Sequence, residues 1–157
     1  ARQLPEGWGI IHRHFGAADA AGIAAQLADI SRERHLRLLI AADPQLAVQV
    51  GADGVHWPHA RLARSRQWKD RIGLMTASAH SPAELRAVGG FPIDAALVSA
   101  IFPSASPSAG KTIGALNFRR LARSAPCPVY ALGGINAGNA AEVAPFAGLA
   151  AVDGLMQ

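Results

Sequence analysis

Residues 127–136 read CPVYALGGIN, and residues 137–143 continue AGNAAEV. An apolar run ends at Gly133-Gly134, and Asn136 stands where a helix N-cap would stand. Two glycines let a backbone approach a ligand closely, and free N–H groups at a helix start favour an anion. This is chemistry for holding a phosphate. Other polar groups recur at the ends of apolar runs. Arg13 lies between His12 and His14, and Ser78 and His80 are two apart. His56 and His59 are three apart, a spacing found in metal sites, but no cysteine or carboxylate stands near them to complete a zinc set. Asp53 suits a structural turn. Trp57 at a strand end is read as a plug in the mouth of the fold, with stacking on a ring as the other reading.

The elements that must position these groups alternate along the chain. Strands are expected over 9–15, 36–42, 54–57, 72–78, 94–99, 129–132 and 150–152. A helix is expected over 19–34, where Ile23, Leu27 and Ile30 keep a helical spacing and Asp19 offers an N-cap. Pro44 opens a short helix to Val50, and Ser81 with Glu84 forms a capping box for a helix to Val88. Residues 113–124 and 137–146 read as helices, 61–71 as loop or brief helix, and 102–112 as a long loop rich in Ser, Pro and Gly. Such alternation predicts a parallel sheet with right-handed crossovers. An open doubly wound sheet and a (β/α)8 TIM barrel both fit. The barrel is favoured because the Gly-rich turn follows the second-to-last strand, where barrel phosphate sites are frequent. The chain reads as a single domain over 1–157. It lacks a first strand–helix unit and a last helix of the full barrel.

Composition narrows the function classes. Of 157 residues half are apolar and 17% charged, which is the balance of a packed globular domain. No apolar run reaches the roughly 18 residues that a membrane helix needs, and no signal peptide is visible, so the expectation is a cytoplasmic protein with no membrane partner. The single cysteine, Cys127, excludes an internal disulfide framework and reads as a small core residue. The net charge of +4 is spread along helical segments without aromatic interleaving. It argues for anionic small molecules and against nucleic acid.

Four motifs in order carry a resemblance: ADGVH at 52–56, SAH at 78–80, FPSAS at 102–106, and ALGGI at 131–135 followed by NAAEV at 139–143. Across essentially the whole chain this set resembles the thiamine phosphate synthase and thiazole tautomerase superfamily. The resemblance implies a (β/α)8 barrel. It also implies a transferase of thiamine biosynthesis, which joins hydroxymethylpyrimidine diphosphate to thiazole phosphate and releases pyrophosphate with the help of Mg2+. Arg13 and Ser78 would hold the diphosphate. Ser104, Ser106, Gly133 and Gly134 would hold the thiazole phosphate, together with backbone N–H groups near Gly154 and Leu155. Lys111, His56 and His80 are auxiliary candidates.

The match is uneven. Where the family alternates Gln, Arg and Lys on one strand face, this chain has Ile11, Arg13 and Phe15. Where the family has Asn-Asp, it has Ala41-Ala42, which leaves Asp43 as the nearest metal-ligand candidate. No acid follows Val55-His56 before Arg61, and the tautomerase histidine falls at Ala100. The alternative reading is therefore a non-catalytic relative that binds thiazole phosphate or thiamine phosphate and needs no cofactor. An open barrel edge would favour a homodimer or a rearranged closure.

Overall fold

The computed structural model describes residues 1–14, 16, 18–104 and 111–152. The described residues form seven strands alternating with helices, and the chain divides into two compact units, 1–76 and 77–157.

In the first unit β1 (Gly9–His12), β2 (Arg37–Ala41) and β3 (Gly54–Trp57) are parallel neighbours. His12 registers with Ile40, and Ala41 with His56. The crossovers are α1 (Ala20–Glu33) and α2 (Pro44–Val50), both packed on β2. Leu38, Ile40, Val55 and Trp57 lie on one strand face by period two and register, and all are essentially inaccessible. Trp57 is thus a core residue on the face opposite His56, and the mouth-plug reading does not hold. Asp19 occupies the N-cap position of α1 without making a side-chain cap bond. Asp43 does cap α2, its Oδ1 accepting from the Leu46 N–H at 2.9 Å, and α2 ends in left-handed Gly51. Asp53 proves structural, accepting from the Leu38 N–H at 2.8 Å and from Arg37 at 2.7 Å.

The polar stretch after β3 is a ten-residue 3-10 segment, His59–Trp68. Its buried residues Leu62, Ser65 and Trp68 fall every third position, the 3-10 repeat. The Ser65 hydroxyl donates to the Leu62 carbonyl at 2.6 Å, so the buried serine is satisfied.

The division between units falls within β4 (Leu74–Ala79). In the second unit β5 (Ala95–Val98), β6 (Val129–Ala131) and β7 (Gly148–Leu149) are parallel neighbours, with Val98 against Ala131 and Ala131 against Leu149. The crossovers are α3 (Pro82–Val88) and α4 (Ala115–Arg123). All four residues of β5 are buried, as expected of a parallel strand covered on both faces. Phe118 is wholly enclosed, and Cys127 is half-buried with its pKa pushed up, chiefly by burial and then by Asp94. The capping box of α3 forms in a shifted version: the Ser81 hydroxyl accepts from the Glu84 N–H, while Glu84 reaches back to the His80 N–H at 2.8 Å. The expected helix over 137–146 is not formed. Only a short 3-10 turn, Ala140–Glu142, is present, and the last strand is 148–149 instead of 150–152. Parallel strands with helical crossovers make this an α/β fold of the TIM-barrel type.

Candidate functional site

At the strand ends of the first unit several polar side chains hold one another, while the buried His12 Nε2 and Trp57 Nε1 have no hydrogen-bond partner among the described residues. Strand β1 stops at His12, so Arg13 lies just beyond it and is exposed, instead of inside a strand reaching 15. His14 Nε2 stands 3.7 Å from Asp43 Oδ2, and its Nδ1 accepts from the Gly16 N–H at 3.2 Å. The His12 and His14 rings are 6.1 Å apart. Burial, and secondly the charge of His14, lower the His12 pKa below the usual 6.5. His56 Nδ1 meets Thr76 Oγ1 at 2.9 Å. Thr76 carries no signal of its own in the sequence; its bond to His56, 20 positions away, appears only in the fold.

Magnesium prefers octahedral oxygen coordination, usually with one or two carboxylates. Ala41 and Ala42 offer no oxygen donor, and Asp43 is engaged by the Leu46 N–H and by His14. Among the described residues no three His, Cys, Asp or Glu side chains gather as a metal site. The described donor set does not fit Mg2+.

The strand ends of the second unit differ. Gly133 and Gly134 have φ of +92° and +67°, which favours glycine at both. A Cβ on Gly134 would lie 2.7 Å from the Phe102 carbonyl oxygen, and one on Gly133 would lie 3.0 Å from Ala100 Cα. The turn is therefore pressed against the start of the long loop. Ile101 N–H donates to Leu132, and Phe102 N–H to Gly133, each at 3.0 Å. The Gly134 carbonyl accepts from Asn139 Nδ2 at 2.7 Å. Among the described residues the N–H groups of Gly133 and Gly134 donate to nothing. Further along, the expected N–H groups of a helix start are already satisfied. Asn136 N–H donates to Asn139 Oδ1, and Gly138 N–H to Asn136 Oδ1, both at 2.9 Å. Any anion donors here are the glycine amides, not a helix N-terminus.

In the same unit, Ser78 is half-buried on β4, Ser104 half-buried at the head of the long loop, and Lys111 exposed. His80 is exposed, and its Nδ1 lies 3.0 Å from Ser99 Oγ. Ser99 was not legible as a site residue; its only signal is its place at the end of β5. Ser106, Gly154 and Leu155 lie outside the described residues. Among the described residues no helix is long and apolar enough to cross a membrane.

The thiamine monophosphate synthase family model matches residues 6–155. The chain is 33% identical over 139 residues to the thiamine biosynthesis bifunctional protein ThiM/ThiE of Symbiobacterium thermophilum, covering 85% of this chain and 29% of that protein. It is 31% identical over 130 residues to the thiamine-phosphate synthase of Geobacillus kaustophilus, covering 80% of this chain and 58% of that one. It thus spans less than two thirds of either relative. The solved thiamine phosphate pyrophosphorylase from Pyrococcus furiosus superposes with a TM-score of 0.70 at 21% identity, covering 96% of this chain and 86% of that chain, a likeness of fold. The ordered motifs, the parallel α/β units and these matches together place the chain in the thiamine monophosphate synthase family.

Proposed function

We propose that this chain carries out the thiamine-phosphate synthase reaction, joining hydroxymethylpyrimidine diphosphate to thiazole phosphate with release of pyrophosphate. The observation that carries the reading is the pair of unpartnered glycine N–H groups at Gly133 and Gly134, fixed against the long loop. Preset amides aimed at one point bind an anion without reorganisation. Ser104 stands by the same loop and supplies a hydroxyl to that phosphate. Ser106, Gly154, Leu155 and Lys111 are assigned to it through the family pattern. Arg13 and Ser78 are assigned to the diphosphate, with His56 and His80 as auxiliaries. The names of the relatives support thiamine phosphate as the product.

Holding both substrates together converts an encounter into a positioned displacement, and excluding water protects a cationic pyrimidine-methyl centre. No step is assigned to Mg2+, because the described donors do not fit it.

The test is product formation by the purified chain with both substrates and magnesium present. Thiamine phosphate is the expected product. No product at high protein concentration overturns the synthase reading, and saturable thiazole-phosphate binding in that same preparation would mark the chain as a binder only.

A further inference from the structure

We propose that Ser99 is a positioning residue that holds the His80 ring so that Nε2–H points outward as a donor to the substrate diphosphate. This rests on the reading of these strand ends as a phosphate-bearing site.

His80 is fixed at two points. Its backbone N–H donates to Glu84 Oε2 at 2.8 Å, anchoring its main chain to the first turn of α3. Its ring meets Ser99 Oγ at 3.0 Å through Nδ1. The backbone anchor is the capping box of α3, whereas the ring anchor belongs to no cap, and an exposed ring gains little from burial. Nε2 has no partner among the described residues. Ser78 lies in β4 and His80 directly follows that strand, two residues on. Ser99 is joined directly to Ala100, whose Cα packs against Gly133. The proposal places the free ring edge at the mouth that holds the glycine turn.

The hydroxyl has a specific chemical consequence. A serine oxygen both donates and accepts. When the imidazole is neutral, the proposal has Ser99 donating to Nδ1, which leaves the proton on Nε2; the opposite tautomer, with Nδ1–H donating to Ser99, is what the experiment tests against. When the ring is protonated, Nδ1–H donates to Ser99 and Nε2 keeps its proton. In both charge states the outward nitrogen is a donor, which suits an anion and not a metal ion. An alanine at position 99 would release the ring and let the proton move to Nδ1.

The experiment uses the whole chain, 15N-labelled, with inorganic pyrophosphate as probe. The His80 ring nitrogens of the native chain, read by NMR where the ring is neutral, are expected to show mainly the Nε2–H tautomer. Ser99→Ala is expected to mix the tautomers and weaken pyrophosphate binding about tenfold. Ser99→Thr, which keeps the hydroxyl, is expected to stay within about twofold of native on the same hydrogen-bond argument, and His80→Phe to lose as much as Ser99→Ala. A native ring carrying its proton on Nδ1 overturns the proposal without any variant. So does a Ser99→Ala chain whose tautomer and pyrophosphate affinity are unchanged. Product formation is scored separately: a chain that makes no thiamine phosphate but binds pyrophosphate through His80 refutes the synthase reading and leaves this assignment standing.

Discussion

At the strand ends of the first unit, Asp43 caps a helix and faces His14, His56 bonds Thr76, two alanines stand where the family has ligands, and the unpartnered nitrogens, His12 Nε2 and Trp57 Nε1, are buried away from solvent. At the strand ends of the second unit, two glycine amides and one imidazole nitrogen have no partner among the described residues. Polar groups that satisfy one another stabilise a fold, whereas preset groups left unsatisfied are available to a ligand. On the proposed reading, the difference locates thiazole-phosphate binding at the second unit's glycine amides, while Asp43 and His14 of the first unit are held by each other and by the start of α2.

The strongest challenge to that contrast is Gly134→Ala. The left-handed φ alone costs about 1–3 kcal/mol in a non-glycine residue, and the new Cβ would press on the Phe102 carbonyl. Thiazole-phosphate affinity measured by calorimetry is expected to fall at least about a hundredfold, since two amides lose their alignment. Asp43→Ala should act quite differently. Losing the α2 cap should cost about 1 kcal/mol in urea unfolding and leave thiazole-phosphate affinity within about twofold, because that carboxylate is structural. A large loss of binding there would erase the contrast. Ala42 has a φ of +61° beside Asp43, so Ala42→Gly should raise stability by about 1 kcal/mol in the same urea experiment.

A further expectation concerns pH. Burial and the neighbouring His14 lower the His12 pKa in the folded chain, so the unfolded chain takes up this proton first. The stability contribution is complete above about pH 6.5, declines as pH falls from there to the lowered folded pKa, and then levels off. His12→Gln should flatten that part of the stability curve, as read by urea midpoints across the range. An unchanged slope would show that His12 is not strained by its surroundings.

Much of the fold was legible because local chemistry and tertiary structure agree. The α2 boundaries follow from Pro44 at the first turn, the β3 boundaries from a short apolar run, and the α3 start from Ser81 and Glu84. The misses have physical causes. The 3-10 segment hides from a 3.6-residue search because Leu62, Ser65 and Trp68 repeat every third position. After the glycine turn Asn136 and Asn139 make the reciprocal side-chain bonds of a helix start, so the cap signal was legible, but only the 3-10 turn Ala140–Glu142 follows it. The glycine turn was read as an anion site partly through helix-start N–H groups, and those groups are already bonded to the Asn136 and Asn139 side chains. Trp57 was misplaced because a strand face cannot be assigned until register is known, and one residue of slip reverses it. Ser99 was invisible because its partner His80 is 19 positions away.

The central claim is most directly tested by titrating the 15N-labelled chain with thiazole phosphate and following the backbone amides of Gly133 and Gly134. The account predicts saturable shifts of both, with little movement at His14 and Asp43. Shifts confined to residues 12–14 and 41–43, or none at Gly133 and Gly134 while ligand binds, would contradict it.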